Sequence, residues 1–173
     1  MRDLGRRLAG VLKAGDLVVL SGPLGAGKTT LAQGIGAGLG VRGPVTSPTF
    51  VIARVHPNLG SGPDLVHADA YRLGSRAEVD DLDLDADLAT SVTVVEWGEG
   101  LVEELAPDFL LVAIEPADRD GGPADIGWID GQPAEDDADP ELPRTVLVRA
   151  FGDRWRETAG TTRIAMAGQP QGS

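Results

Sequence analysis

Gly22-Pro23-Leu24-Gly25-Ala26-Gly27-Lys28-Thr29-Thr30 fits the pattern G-x-x-x-x-G-K-[ST] without a gap. Ahead of it, Asp16-Leu17-Val18-Val19-Leu20-Ser21 is a short apolar run of the kind that makes a buried strand. Behind it, Leu31, Ile35 and Leu39 recur at helical spacing, and Gly40 is placed to stop the helix. Strand, glycine loop and helix in that order are the context this motif needs to be a phosphate site. Glycine at 22, 25 and 27 accepts backbone angles that a side chain forbids, so the loop can wrap an anion with its N–H groups inward. The start of the helix adds its positive dipole end. In such a loop Lys28 reaches the β- and γ-phosphates and the Thr29 hydroxyl binds Mg²⁺. The stretch predicts a nucleoside triphosphate site built on Gly25, Ala26, Gly27, Lys28, Thr29 and Thr30.

At 173 residues the chain is long enough for one domain of α/β class, a mostly parallel sheet with helices on both faces. Cysteine is absent, which excludes disulfides and thiolate metal sites, and two histidines are too few for a histidine-based metal cluster. The sequence holds no apolar run near the ~20 residues of a membrane span and no secretory leader pattern, so a soluble, cytoplasmic protein is expected. The net charge of −12 is concentrated between Glu115 and Glu141, where ten acids face a single base, Arg119. The rest of the chain is only mildly acidic. With no basic cluster, any service to RNA would run through a partner.

Residues 3–13 place Leu4, Leu8, Val11 and Leu12 on one helical face, with Asp3 positioned to cap it. After the phosphate helix, Ser47-Pro48-Thr49 reads as a loop leading into a strand, because Pro48 resists a helix interior or a central strand. From spacing alone that loop is equally a nucleotide sensor or a plain Ser/Thr turn. The strand continues from Val51 to Val55, turns through residues 57–63, and returns at Leu65–Leu73. Alternation sets His67, Asp69 and Tyr71 on one side, which makes Asp69 a candidate to face a metal or a water. Residues 75–89 interleave acids with Val79, Leu82, Leu84 and Leu88 and read as a solvated helix or two short ones. They lack the glycine and terminal glutamate of a calcium loop. Ser91-Val92-Thr93-Val94-Val95-Glu96-Trp97-Gly98-Glu99 is a central strand ending in a carboxylate. A second acid at the end of a neighbouring strand is what a P-loop enzyme uses to hold Mg²⁺ or polarise water, and Glu96 is the candidate, with Glu99 the alternate. A helix is expected from Leu101 to Leu105, and strands at Phe109–Ile114 and Arg144–Ala150. The domain is read as residues 1–155, with 115–143 a flexible acidic Gly/Pro-rich insertion that forms a long hairpin connection, and 156–173 a C-terminal tail.

Together, Leu-Ser-Gly-Pro-Leu-Gly-Ala-Gly-Lys-Thr-Thr (20–30), Val-Thr-Ser-Pro-Thr-Phe (45–50), His-Ala-Asp-Ala-Tyr-Arg-Leu (67–73) and Val-Val-Glu-Trp-Gly-Glu (94–99) resemble the bacterial TsaE proteins. These are small ATPases of tRNA threonylcarbamoyladenosine synthesis. The resemblance runs from about Leu4 to Phe109, and its three later motifs are far more specific than the glycine loop. It implies a P-loop fold, slow partner-dependent hydrolysis of ATP with Mg²⁺, and action with the TsaB and TsaD proteins. TsaD transfers the threonylcarbamoyl group to the adenosine beside the anticodon in tRNAs reading ANN codons, and the ATPase resets the pair, meeting tRNA only through the complex. On this chain the resemblance implies that Thr29 and Glu96 hold Mg²⁺, that Lys28 and residues 25–30 hold the phosphates, and that Thr49 lies in the sensing loop. Lys28, Asp69 and Glu96 would form the catalytic set, with Trp97 beside them. Two features depart from the family: its members usually carry a strand ahead of the first helix, and the 115–143 connection is longer and more acidic here. The competing reading is a small-molecule or nucleoside kinase on the same fold, against which stands the absence of an arginine-rich lid between the later strands.

Overall fold

The computed structural model describes residues 1–48, 53–73, 75–80, 84, 86–116, 128–129, 132–133, 143–158 and 162–166. The first helix, α1, is Arg2–Ala9, followed by β1 at Leu17–Ser21 and α2 at Lys28–Leu39. Next come β2 (Ala53–His56), β3 (Asp64–Asp69), the short α3 (Arg76–Asp80) and β4 (Ser91–Glu96). The chain continues through β5 (Phe109–Pro116), the two-residue strands β6 (Trp128–Ile129) and β7 (Gln132–Pro133), β8 (Arg144–Phe151) and β9 (Thr162–Met166).

Seven strands form one sheet in the order β2-β3-β4-β1-β5-β8-β9. The inner four, β3, β4, β1 and β5, run parallel; β2 and β8 flank them antiparallel, and β9 pairs antiparallel with β8 at the outer edge. This is the expected α/β P-loop architecture, with its parallel part confined to the centre. Strand β1 lies in the middle of the sheet, and Leu17, Val18, Val19 and Leu20 are all fully buried. A parallel strand covered on both faces must be apolar at every position, which is why this run does not alternate. One face carries α1 and α2, whose Leu4, Leu31 and Ile35 pack on Val18, Leu20, Val94 and Val112. The other is covered by short elements: α3 supplies Val79, and a 3-10 turn at Glu103–Leu105 lies where a longer helix was expected.

Helices α1 and α2 meet through glycine. A Cβ on Gly5 would lie 2.7 Å from the Gly34 Cα, and one on Gly34 would strike the Arg2 backbone. A backbone-to-backbone approach this close leaves no room for a methyl group. Gly34→Ala sets a gain of up to about 1 kcal/mol in helix propensity against about 1–3 kcal/mol for overpacking. The clash should win, lowering the melting temperature by a few degrees in a thermal scan.

Several boundaries differ from expectation. Helix α1 ends at Ala9 rather than near Lys13, because Gly10 weakens it and the Asp16 carboxylate accepts from the Lys13 N–H at 2.8 Å, drawing the chain into a turn. Val11 is consequently 55% exposed and off the buried face. Asp3 caps nothing; it lies inside the helix and pairs with Arg6 at 2.7 Å, while Met1 is the N-cap. Strand β3 stops at Asp69, where the Asp69 carboxylate takes the Tyr71 N–H at 3.0 Å and starts a turn. The segment 156–173 is not all tail, since Thr162–Met166 adds an edge strand antiparallel to β8. Strands β5 and β8 do pair antiparallel across the acidic connection, as a hairpin requires. Of that connection, residues 117–127, 130–131 and 134–142 lie outside the described residues, as do 159–161 and 167–173 of the terminal segment.

Candidate nucleotide site

Register builds this site. Leu20 pairs with Glu96 across β1 and β4, and Asp69 pairs with Glu96 across β3 and β4. Both acids therefore end their strands level with the end of β1, one residue before Gly22 and its neighbours turn off into the loop. Ligands of open α/β sheets bind at this carboxyl edge.

The loop has the conformation its glycines permit. Gly22, Gly25 and Gly27 take φ values of 137°, 73° and 105°, all in the left-handed half where a side chain is strained. Gly27 is the N-cap of α2 and makes no side-chain cap, so the first N–H groups of the helix stay directed at the loop. Lys28 is 5% exposed. Its Nζ donates to the carbonyl oxygens of Gly22 (2.7 Å) and Pro23 (2.8 Å) and lies 3.6 Å from the centre of the Trp97 ring. Burial lowers the ammonium pKa to about 8, a fall that the nearby Glu96 and Asp69 carboxylates partly oppose. Trp97 itself adopts a left-handed φ of 61°, and its ring leans against Tyr71 at 5.1 Å.

The predicted acids separate here. Glu96 is 3% exposed and accepts from the Thr29 hydroxyl at 3.0 Å, which brings together the hydroxyl and carboxylate expected to face a cation. Glu99 instead accepts from the Ser21 hydroxyl at the surface. Asp69 is 7% exposed, with the Ser47 hydroxyl 3.5 Å from one oxygen and the Tyr71 N–H on the other. Thr49 lies outside the described residues. The fitness of the donor set for Mg²⁺ is chemical: a hydroxyl and a carboxylate are hard oxygen ligands, and an ion that keeps waters and takes phosphate oxygens needs no more from the protein.

Two neighbours were not assigned from sequence. Arg144, on β8, donates to the Gly25 carbonyl at 3.3 Å, a contact made across 119 residues that no local pattern announces. His67 is fully buried and its Nε2 lies 2.8 Å from Glu96 Oε1. Its signal was available, since alternation put it on the side of Asp69. A separate cavity of about 270 Å³ lies along α1, α2 and the 41–46 loop, lined by Arg2, Arg6, Gln33 and Thr46, and shares no residue with the phosphate loop.

Residues 1–121 match the family model described as threonylcarbamoyl adenosine biosynthesis protein TsaE. The chain belongs to the TsaE family. A TsaE protein of Streptomyces coelicolor, named for tRNA threonylcarbamoyladenosine biosynthesis, is 60% identical over 156 residues, spanning 90% of this chain and 93% of the relative. The TsaE protein of Bacillus subtilis is 39% identical over 69% of this chain and 73% of its own. Among solved structures, the crystal structure of Bacillus subtilis YdiB aligns with a TM-score of 0.53 at 35% identity, over 69% of this chain and 72% of that one. Among the described residues no helix is long and apolar enough to cross a membrane.

Proposed function

We propose that this TsaE-family chain binds ATP with Mg²⁺ and hydrolyses it as an accessory step in the threonylcarbamoylation of tRNA, in the cytoplasm, with TsaB and TsaD as partners. The observation that supports this most is the 3.0 Å contact between the Thr29 hydroxyl and the Glu96 carboxylate beside a left-handed glycine loop with a buried lysine. The names of its relatives supply the pathway. In this reading the loop N–H groups and Lys28 hold the phosphates, and Thr29 and Glu96 hold Mg²⁺. When bound, Mg²⁺ neutralises charge that builds on the β- and γ-phosphate oxygens. In the same reading Asp69, whose carboxylate accepts from the Tyr71 N–H, orients the attacking water. Its carboxylate gains from closeness to the reaction more than from basicity, because phosphoryl transfer depends mainly on positioning and charge stabilisation.

Two substitutions test the division of labour. Asp69→Asn should lower turnover at least tenfold while ATP affinity stays within about threefold, as a positioning group requires. Unchanged turnover would remove Asp69 from the mechanism. Thr29→Ala should raise the Mg²⁺ needed for hydrolysis and leave ATP binding in EDTA intact, read by titrating metal in both assays.

The pathway is tested by mixing the protein with TsaB and TsaD of its own organism, tRNA, threonylcarbamoyl-adenylate and ATP. Modified tRNA should exceed one per complex only with this protein and hydrolysable ATP. Equal output without it would overturn the proposal and favour a kinase.

A further inference from the structure

His67 occupies a position where an apolar residue would ordinarily lie. It is fully buried on inner strand β3, between Val66 and Ala68, on the sheet face it shares with Leu65, Val92 and Val94 under helix α2. Among the described residues its Nδ1 has no hydrogen-bond partner. Its Nε2 lies 2.8 Å from Glu96 Oε1. Register explains the reach: His67 pairs with Val94, so Glu96 lies two residues further along the neighbouring strand, on the same face.

Glu96 is thereby held from two sides. Oε1 faces the imidazole from within the sheet, and Oε2 faces the Thr29 hydroxyl from α2. A buried polar pair adds less to stability than an apolar pair of the same shape, and the unpartnered Nδ1 makes this one poorer still. What the imidazole does supply is an N–H at one fixed point against one carboxylate oxygen.

We infer that His67 is a positioning residue that locks the Glu96 carboxylate, keeping Oε1 occupied and Oε2 presented beside Thr29 for the cation. The inference rests on the reading of Thr29 and Glu96 as the Mg²⁺ ligands and names the group that orients one of them. Outer-shell partners of this kind commonly govern metal affinity by 10–100-fold, because a ligand free to rotate must be ordered again on binding.

The test measures equilibrium binding of ATP by the full chain, in EDTA and across a Mg²⁺ titration, for wild type, His67→Leu and His67→Gln. Leucine fills the space without a donor, while glutamine can return an N–H to Oε1. His67→Leu should need about tenfold more Mg²⁺ for half-maximal tightening, with binding in EDTA within twofold of wild type. His67→Gln should recover to within about threefold. Wild-type Mg²⁺ dependence in His67→Leu overturns the inference and leaves the metal reading standing. Loss of binding in EDTA to the same degree as in Mg²⁺, with no rescue by glutamine, also overturns it, since that is the mark of a merely structural role. A wild-type protein indifferent to Mg²⁺ overturns both this inference and the assignment of Thr29 and Glu96. If His67→Leu does not fold, the unaltered chain decides through the His67 Nε2–H proton resonance, assigned against His56→Gln. It should shift when Mg²⁺ is added to the ATP-bound protein, and a resonance that stays in place would sink the inference.

Discussion

Replacing Lys28 by methionine should weaken ATP binding about 100-fold or more while leaving the nucleotide-free fold almost as stable as before. The first half follows from charge. The ammonium is the cation at the heart of the loop, and charge-assisted hydrogen bonds are worth about 1.5–3 kcal/mol each. Without it, the Glu96 and Asp69 carboxylates, both under a tenth exposed, are left to repel an incoming triphosphate. The second half follows from burial. A lysine with its pKa lowered to about 8 is charged at neutral pH in an environment that disfavours the charge, which costs about 3 kcal/mol relative to the unfolded chain. Methionine relieves that cost and keeps a stem under the Trp97 ring. It loses two hydrogen bonds to Gly22 and Pro23, a loss of similar size. The two effects nearly cancel, so the melting temperature should hardly move while calorimetric ATP binding collapses. ATP affinity within threefold of wild type would show that the loop binds phosphate without its lysine. The same pKa carries a pH signature in metal-free buffer. The lowered pKa leaves the ammonium charged below about 8 and neutral above it. Affinity for ATP should therefore fall as pH rises through that value, with a proton taken up on binding near pH 8.

What the sequence told of this site was local, and what it left open was long-range. The glycine loop was readable because its chemistry requires consecutive residues: the left-handed glycines, the lysine and the hydroxyl lie within nine positions. The buried run of β1 was readable for the same reason, as four consecutive apolar residues. The sequence made Glu96 the candidate and Glu99 the alternate, but the geometry that separates the two was not readable. It depends on the register that sets Leu20 opposite Glu96, and on Trp97 turning the chain with a left-handed φ so that Glu99 meets Ser21 instead. Arg144 arrives from β8, two strands from β1 in the sheet and 119 residues from Gly25 in the chain. Strand β9 lies in a segment whose composition reads as a tail, and its place in the sheet follows from the free edge that β8 offers it. The end of α1 turned on Gly10 together with a carboxylate, Asp16, that takes a backbone N–H from beyond it. In each case a side chain or a strand edge acted across the chain on a segment whose own pattern was ambiguous.

Gly22→Ala should lower the melting temperature by about 10 °C or more and abolish ATP binding with it. Two separate costs meet at this residue. Its φ of 137° lies where an L side chain is strained, at about 1–3 kcal/mol. A Cβ there would also strike the carbonyl oxygen of Ile114, because the pairing of Ser21 with Ala113 runs the start of the loop directly along the backbone of β5. Neither partner can retreat: one is the strand end that launches the loop, the other an inner strand of the sheet. Together the costs approach the lower end of the ~5–15 kcal/mol that holds a domain folded. Gly43→Ala separates the two causes, since Gly43 has a left-handed φ of 75° and nothing within 4 Å of a Cβ. It should pay only the conformational cost and keep its ATP affinity. If the two variants melt within about 2 °C of each other, the approach of loop to strand is not what demands glycine at 22. A wide gap between them would mean that the first glycine of the loop serves the packing of β1 against β5 as much as the curvature of the phosphate cradle. The loop could then not be transplanted to another strand pair without that neighbour.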